Sequence, residues 1–202
     1  MPKMATVHQR FDDAHISDVE KAVHEQITRP EIAARVHSGM RIAIGAGSRG
    51  IANIGIAVRA TVQALRELGA KPFVFPAMGS HGGATAEGQQ AVLAGYGITE
   101  EDVGAPIRAT MDTVLIGKME DGTPVHMDRC AHEADGVVLI NRIKPHTSFR
   151  GPIESGVVKM MVIGMGKIQG ATYLHAHGMD VFPEVLPRVA TFIMEQTSIL
   201  FG

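Results

Sequence analysis

Two apolar strand patterns joined by one amphipathic helix constrain this chain more than any other feature. Arg41 to Ala46 (RIAIGA) reads as a buried strand, and the periodic stretch from about Ile54 to Leu68 reads as a helix closed by Gly69. Lys71 to Phe75 returns as a second strand. A strand, helix, strand order with so short a return is a right-handed crossover between parallel neighbours. The two exit loops, GSRG and PAMGSHGGAT, then open on the same carboxyl edge of the sheet, where open α/β folds bind ligands. Arg49 and His81 become neighbours in space.

The remaining segments extend that frame. Gly136 to Ile143 (GVVLINRI) reads as a third buried strand and places His146 beyond its carboxyl end. Ser17 with Glu20, and Thr28 with Glu31 and Pro30, predict two short helices near the start. Thr85 caps a helix over about Ala86 to Ala94, and Thr99 with Asp102 starts a single turn. Thr113 to Met119 and Thr123 to Met127 predict a hairpin about Asp121 and Gly122, with Pro124 keeping the second arm at an edge. A last helix runs from Pro183 to about Thr197 with Pro187 inside it. Ile199, Leu200 and Phe201 then read as the start of another buried element, so the chain is expected to be a piece of a longer protein. The expected fold is a single α/β domain over 1–202, a mostly parallel sheet flanked by helices with a small β-hairpin insertion.

Charge narrows the partners. A formal net charge of −2, with 20% charged residues and no run of one sign, gives no footprint for nucleic acid and no polybasic patch for a membrane. A small molecule is the expected partner; nothing sets an oligomeric state. The lone Cys130 excludes an intramolecular disulfide, and the N-terminal residues lack the apolar core of a signal peptide. The longest apolar stretch, Ile153 to Met165, is broken by Glu154, Ser155 and Lys159, short of a membrane span. A cytoplasmic location is the expectation.

Polar chemistry concentrates between Arg142 and Gly178, which hold His146, Lys159, His175 and His177 among glycines and methionines. Lys159, between two valines and two methionines, is placed to lose its proton on desolvation and act as a neutral nucleophile; a lysine snorkelling from a surface helix would show the same pattern. His81 and His146 each stand on a loop past a strand. Alone, either is an ordinary loop histidine; together on one sheet edge they suit opposed proton transfer to the two faces of one carbon. Arg49 follows a glycine loop that lacks both the dinucleotide and the P-loop signature, so it reads either as an anion clamp or as a solvated side chain. No cysteine or carboxylate stands near His175 and His177 to complete an all-protein zinc site. The 12 methionines are read as core filling.

In order, GSRG (Arg49), GSHGG (His81), KPHTS (His146), SGVVKM (Lys159) and TYLHAHG (His175) resemble the N-terminal domain of the nickel-pincer nucleotide lactate racemase family, over about Arg41 to Gly178. That resemblance implies a nickel-pincer nucleotide attached to Lys159 through a thioamide, His175 as the protein ligand to nickel, and His81 and His146 as paired acid/base residues. It implies Arg49 as a clamp for an anionic group of cofactor or substrate, and cofactor-maturation proteins as partners. The implied reaction inverts a small α-hydroxy acid by reversible hydride transfer through a 2-oxo acid, and His177 is left as a bystander. The chain departs from the family in three ways. Ala46 and Gly47 stand where lactate racemases carry an aspartate, the interval from His146 to Lys159 is longer around Arg150 to Ile153, and nothing corresponds to the family's C-terminal domain. Two other readings remain: a Schiff-base lyase at Lys159, and a non-catalytic nucleotide- or anion-binding module.

Overall fold

In the computed structural model, which describes residues 4–202, the elements follow in chain order. They are α1 (Val19–Ile27), α2 (Pro30–Ala33), β1 (Arg41–Ala46), α3 (Ile54–Glu67), β2 (Lys71–Pro76), α4 (Ala86–Ala94) and α5 (Glu100–Val103). Then come β3 (Thr113–Lys118), β4 (Pro124–Asp128), α6 (Arg129–His132), β5 (Gly136–Ile140), α7 (Gly156–Lys159), α8 (Lys167–Ala176), α9 (Phe182–Gln196) and β6 (Ile199–Phe201). The crossover read from the sequence is present: β1 pairs parallel with β2 on one side and with β5 on the other. The four-stranded sheet has the order β2-β1-β5-β6, and β3 with β4 forms the separate antiparallel hairpin.

Alternation along β1 sorts its side chains into two cores. Ile42, Ile44 and Ala46 face a cluster with Val58, Val62 and Leu65 of α3, whereas Ala43 faces a cluster built from α7, α8 and α9. Val58, Val62 and Leu65 recur at helical spacing and are all fully buried. Each such side chain contributes about 1.5–3 kcal/mol through burial. Gly45 lies between the two large side chains of neighbouring strands. A Cβ there would stand 2.8 Å from Leu139 Cδ2 and 3.0 Å from Phe75 Cζ, so the packed sheet has room only for hydrogen.

Three local expectations need correction. Asp18, not Ser17, caps α1 by accepting from Lys21 N at 2.9 Å. Thr28 does not cap α2; its hydroxyl donates back to His24 O at 2.8 Å and finishes α1. The third strand stops at Ile140 rather than Ile143. Asn141 turns its amide to Gly156 O at 2.9 Å, drawing the chain out of the sheet and leaving Ile143 88% exposed. The apolar residues after α9 form β6, which pairs with β5. Among the described residues no helix is long and apolar enough to cross a membrane.

Candidate functional site

The carboxyl edge of the parallel sheet opens into a cavity of about 480 Å³ whose lining includes Arg49, His81, His146, Lys159 and His175. All five residues singled out in the sequence meet there, and His177 does not line it. The volume suits a ligand of mononucleotide size.

Arg49 lies on the loop after β1 and His81 on the loop after β2, as the crossover requires. The His81 Nδ1 atom pairs with the Ser48 hydroxyl, and Tyr96 fixes Ser48 from behind by donating to its carbonyl at 2.6 Å. This leaves Nε2 as the free nitrogen of His81. Burial, then the positive charges of Arg49 and Lys159, hold the imidazole below its ordinary value of 6.5. At neutral pH the ring is a proton acceptor.

His146 sits on the loop after β5. Glu154 pins that loop, accepting from His146 N at 2.7 Å through one oxygen and from Gly151 N at 3.2 Å through the other. The same bonds hold the Glu154 carboxyl below the usual carboxylate range, His146 N–H first. Lys144 N donates to Ser155 Oγ at 2.7 Å, which closes the loop against the start of α7. His146 Nδ1 accepts from Ser148 N at 3.2 Å. Burial, then Lys159 and Lys144, hold this imidazole low as well.

Lys159 ends α7, half-buried, and a single π-helical turn over Met160–Gly164 follows it, closed by Met165 N donating to Met160 O at 2.8 Å. Such a turn redirects the helix and recurs at functional sites. Burial, then Lys144 and Arg49, draw the amine from 10.5 down to about 8. Gly79 and Gly164 let the π turn and the His81 loop meet backbone to backbone: Gly79 N donates to Gly164 O at 3.0 Å. A Cβ on Gly164 would lie 2.6 Å from Ala77 O.

His175 lies in the last turn of α8. Its Nδ1 is 2.6 Å from Ala171 O. A carbonyl only accepts, so Nδ1 carries the proton and Nε2 of the neutral ring keeps its lone pair, the tautomer a metal needs. His177 turns elsewhere, its Nδ1 on Tyr173 O at 2.8 Å and its ring 4.8 Å from that of Tyr173.

Phe149 and Phe182 join the site residues, and neither was singled out in the sequence. Ring centroids run from His146 to Phe149 (4.4 Å), to Phe182 (5.5 Å) and to His175 (5.2 Å), with Lys159 Nζ 5.7 Å from the Phe149 centroid. The two rings stand between the histidines, and the Phe149 face lies beside the Lys159 amine. Four cationic side chains line the cavity, Arg49, Arg142, Lys144 and Lys159, against one carboxylate, Glu154. The site therefore favours an anionic ligand. Among the described residues no group of three or more His, Cys, Asp or Glu side chains is placed to hold a metal ion. A metal at His175 would need its other ligands from a bound cofactor, which the free Nε2 of His175 and the Lys159 amine on the same cavity fit.

The sequence matches the family described as lactate racemase N-terminal domain over residues 4–184. In structure the chain is similar to the lactate racemase apoprotein from Thermoanaerobacterium thermosaccharolyticum, with a TM-score of 0.64 and 16% sequence identity. The match covers 89% of this chain and 47% of that one, so the chain spans about half the length of that protein. No curated protein matches it in sequence.

Proposed function

We propose, because this chain belongs to the lactate racemase N-terminal domain family, that it forms the cofactor-bearing half of an enzyme that inverts a small α-hydroxy acid. The observation that carries this reading is the meeting of Arg49, His81, His146, Lys159 and His175, from five separate segments, around one cationic cavity. Lys159 would hold a nickel-pincer nucleotide covalently, and His175 would give nickel its one protein ligand through Nε2. Ni(II) would accept such an imidazole nitrogen, with its remaining ligands supplied by the cofactor. When bound, this cofactor supplies a reversible hydride acceptor for the substrate's α-carbon.

The chain's own residues supply position and proton traffic. Arg49 takes an anionic group of substrate or cofactor in bidentate fashion. His81 and His146 serve the substrate hydroxyl: one, neutral, takes its proton as the carbon is oxidised, and the other, having taken a proton from solvent, gives it to the oxygen when the opposite face is reduced. The Phe149 ring gives the Lys159 amine an apolar neighbour. The cavity stays open at its mouth, so the chain alone is expected to turn over slowly.

Production alongside cofactor-maturation proteins tests the reading. Nickel near one per chain and a mass increment on Lys159 are expected. Lys159→Ala loses both, whereas His175→Ala loses nickel and keeps the increment. An unmodified Lys159 without metal under those conditions would overturn the assignment. The depressed Lys159 amine also suits a Schiff base. Borohydride trapping with 2-oxo acids distinguishes that lyase, since only an imine leaves a reduced adduct on Lys159. For an anion-binding module, titration calorimetry on cofactor-free protein would show binding of nucleotides alone.

A further inference from the structure

The largest buried polar side chain is one that this chemistry does not use. Lys167 opens α8, is fully buried, and holds a φ of +52°. A left-handed conformation is strained for a residue with a side chain. Its ammonium meets two hydrogen-bond acceptors and one carboxylate. The Nζ atom donates to Pro76 O at 2.5 Å and to Gln89 Oε1 at 2.9 Å, and lies 3.0 Å from Asp128 Oδ2. The last contact is an ion pair, and Asp128 Oδ2 has no hydrogen-bond partner.

Gln89, also fully buried, passes the contact on. Its Nε2 donates to Gly79 O at 2.8 Å and to His81 O at 3.2 Å. Together with Pro76 O, these carbonyls belong to the loop that presents His81. We propose that Gln89, oriented by Lys167, is a positioning residue for His81 that holds the imidazole at the cavity. The proposal rests on reading His81 as a proton-transfer group.

Packing alone does not account for this arrangement. The loop contains Gly79, Gly82 and Gly83 at φ of +59°, +63° and +67°, so it is held chiefly through its backbone. A Cβ on Gly82 would stand 2.6 Å from Gln89 N, which puts the loop backbone directly on α4. An apolar residue at 89 would fill the same space, leave the buried Gly79 carbonyl without a donor and leave His81 O only its bond from Ala84 N at 3.2 Å. Nor does the ion pair explain itself as a source of stability. Burial pushes the Asp128 carboxyl up and the Lys167 ammonium down, so desolvation outweighs mutual attraction. What the network fixes is the place of the loop, by joining it to the start of α8, just past the π turn that follows Lys159.

Histidine titration by NMR on the cofactor-free chain tests this without turnover, so its failure is separable from failure of the racemase reading. Gln89→Glu keeps an acceptor for Lys167 but loses both N–H donors to the loop; Gln89→Met loses everything but volume. In both, the His81 midpoint is expected to rise toward that of an ordinary imidazole as Arg49, Lys159 and the buried surroundings lose their fixed relation to it. Histidines outside the cavity serve as the internal reference. Deuterium exchange at His81 N, which donates to Met78 O in the parent, is expected to speed up. Rescue by Gln89→Asn is not expected, because the shorter side chain reaches only one side of the network. An unchanged His81 titration and exchange rate in a folded variant would overturn the proposal. So would failure of both variants to fold, which would make Gln89 a residue of stability alone.

Discussion

Lys159 offers the most quantitative check. With an amine at about 8 rather than 10.5, its neutral fraction at pH 7.5 is about one quarter, against about one in a thousand for an ordinary lysine, a ratio of ~240. Intrinsic nucleophilicity falls with basicity. A Brønsted slope of about 0.4–0.5, as measured for thiols, removes roughly 10- to 20-fold over the 2.5-unit difference. The net expectation is acylation of Lys159 about 10- to 25-fold faster than that of the exposed Lys71 at pH 7.5. Trace labelling with acetic anhydride from pH 6 to 10, read peptide by peptide in a mass spectrometer, measures both the rate and its midpoint. Burial is the largest cause of the depression, ahead of Lys144 and Arg49. Lys144→Met should therefore raise the midpoint only in part. A Lys159 rate no greater than that of Lys71, or a midpoint near the ordinary ~10.4, would refute the reasoning.

Other consequences follow from contacts already described. Lys167→Met strands the buried Asp128 carboxylate and should cost about 3–5 kcal/mol in urea unfolding. Adding Asp128→Asn, which keeps an oxygen for the Ala131 N–H at the cap of α6, should recover more than half of that loss. Gly79→Ala places a side chain at φ +59° with its Cβ 3.1 Å from Ile163 O; a cost of about 1–2 kcal/mol predicts a Tm lower by about 2–8 °C in a scanning calorimeter. His81 and His146 titrate below 6.5 in the folded chain, so between those values and 6.5 the unfolded chain binds more protons. Stability should fall as pH drops through that window, and the double variant His81→Gln/His146→Gln should flatten the slope measured by urea unfolding.

The parts legible in the sequence were those with a local signature. The period-2 and period-3.6 patterns of Arg41 to Phe75 set the crossover, and the crossover alone brought Arg49 and His81 to one edge. Contacts that depend on burial across the fold left no such mark. Glu154 was visible only as a break in an apolar run, yet it holds His146 in place. Lys167 carried the same local signal as Lys159, a lysine among glycines, isoleucines and methionines, but apolar neighbours do not tell a half-open amine from one sealed against an aspartate. The sealed one is Lys167. Phe149 and Phe182 looked like ordinary core residues, because an aromatic floor beneath a site requires no different composition from a core. The early stop of β5 turned on one side-chain amide, that of Asn141, reaching a carbonyl fifteen residues away.

Isotope retention tests the central claim most directly. Protein carrying the cofactor is incubated with a single enantiomer of a small 2-hydroxy acid deuterated at the α-carbon, and the opposite enantiomer is isolated and weighed by mass spectrometry. Transfer of hydride from and back to the same carbon predicts slow inversion with the deuterium kept. Inverted product that has exchanged its deuterium for solvent hydrogen would contradict the account, as would no inversion by fully loaded protein.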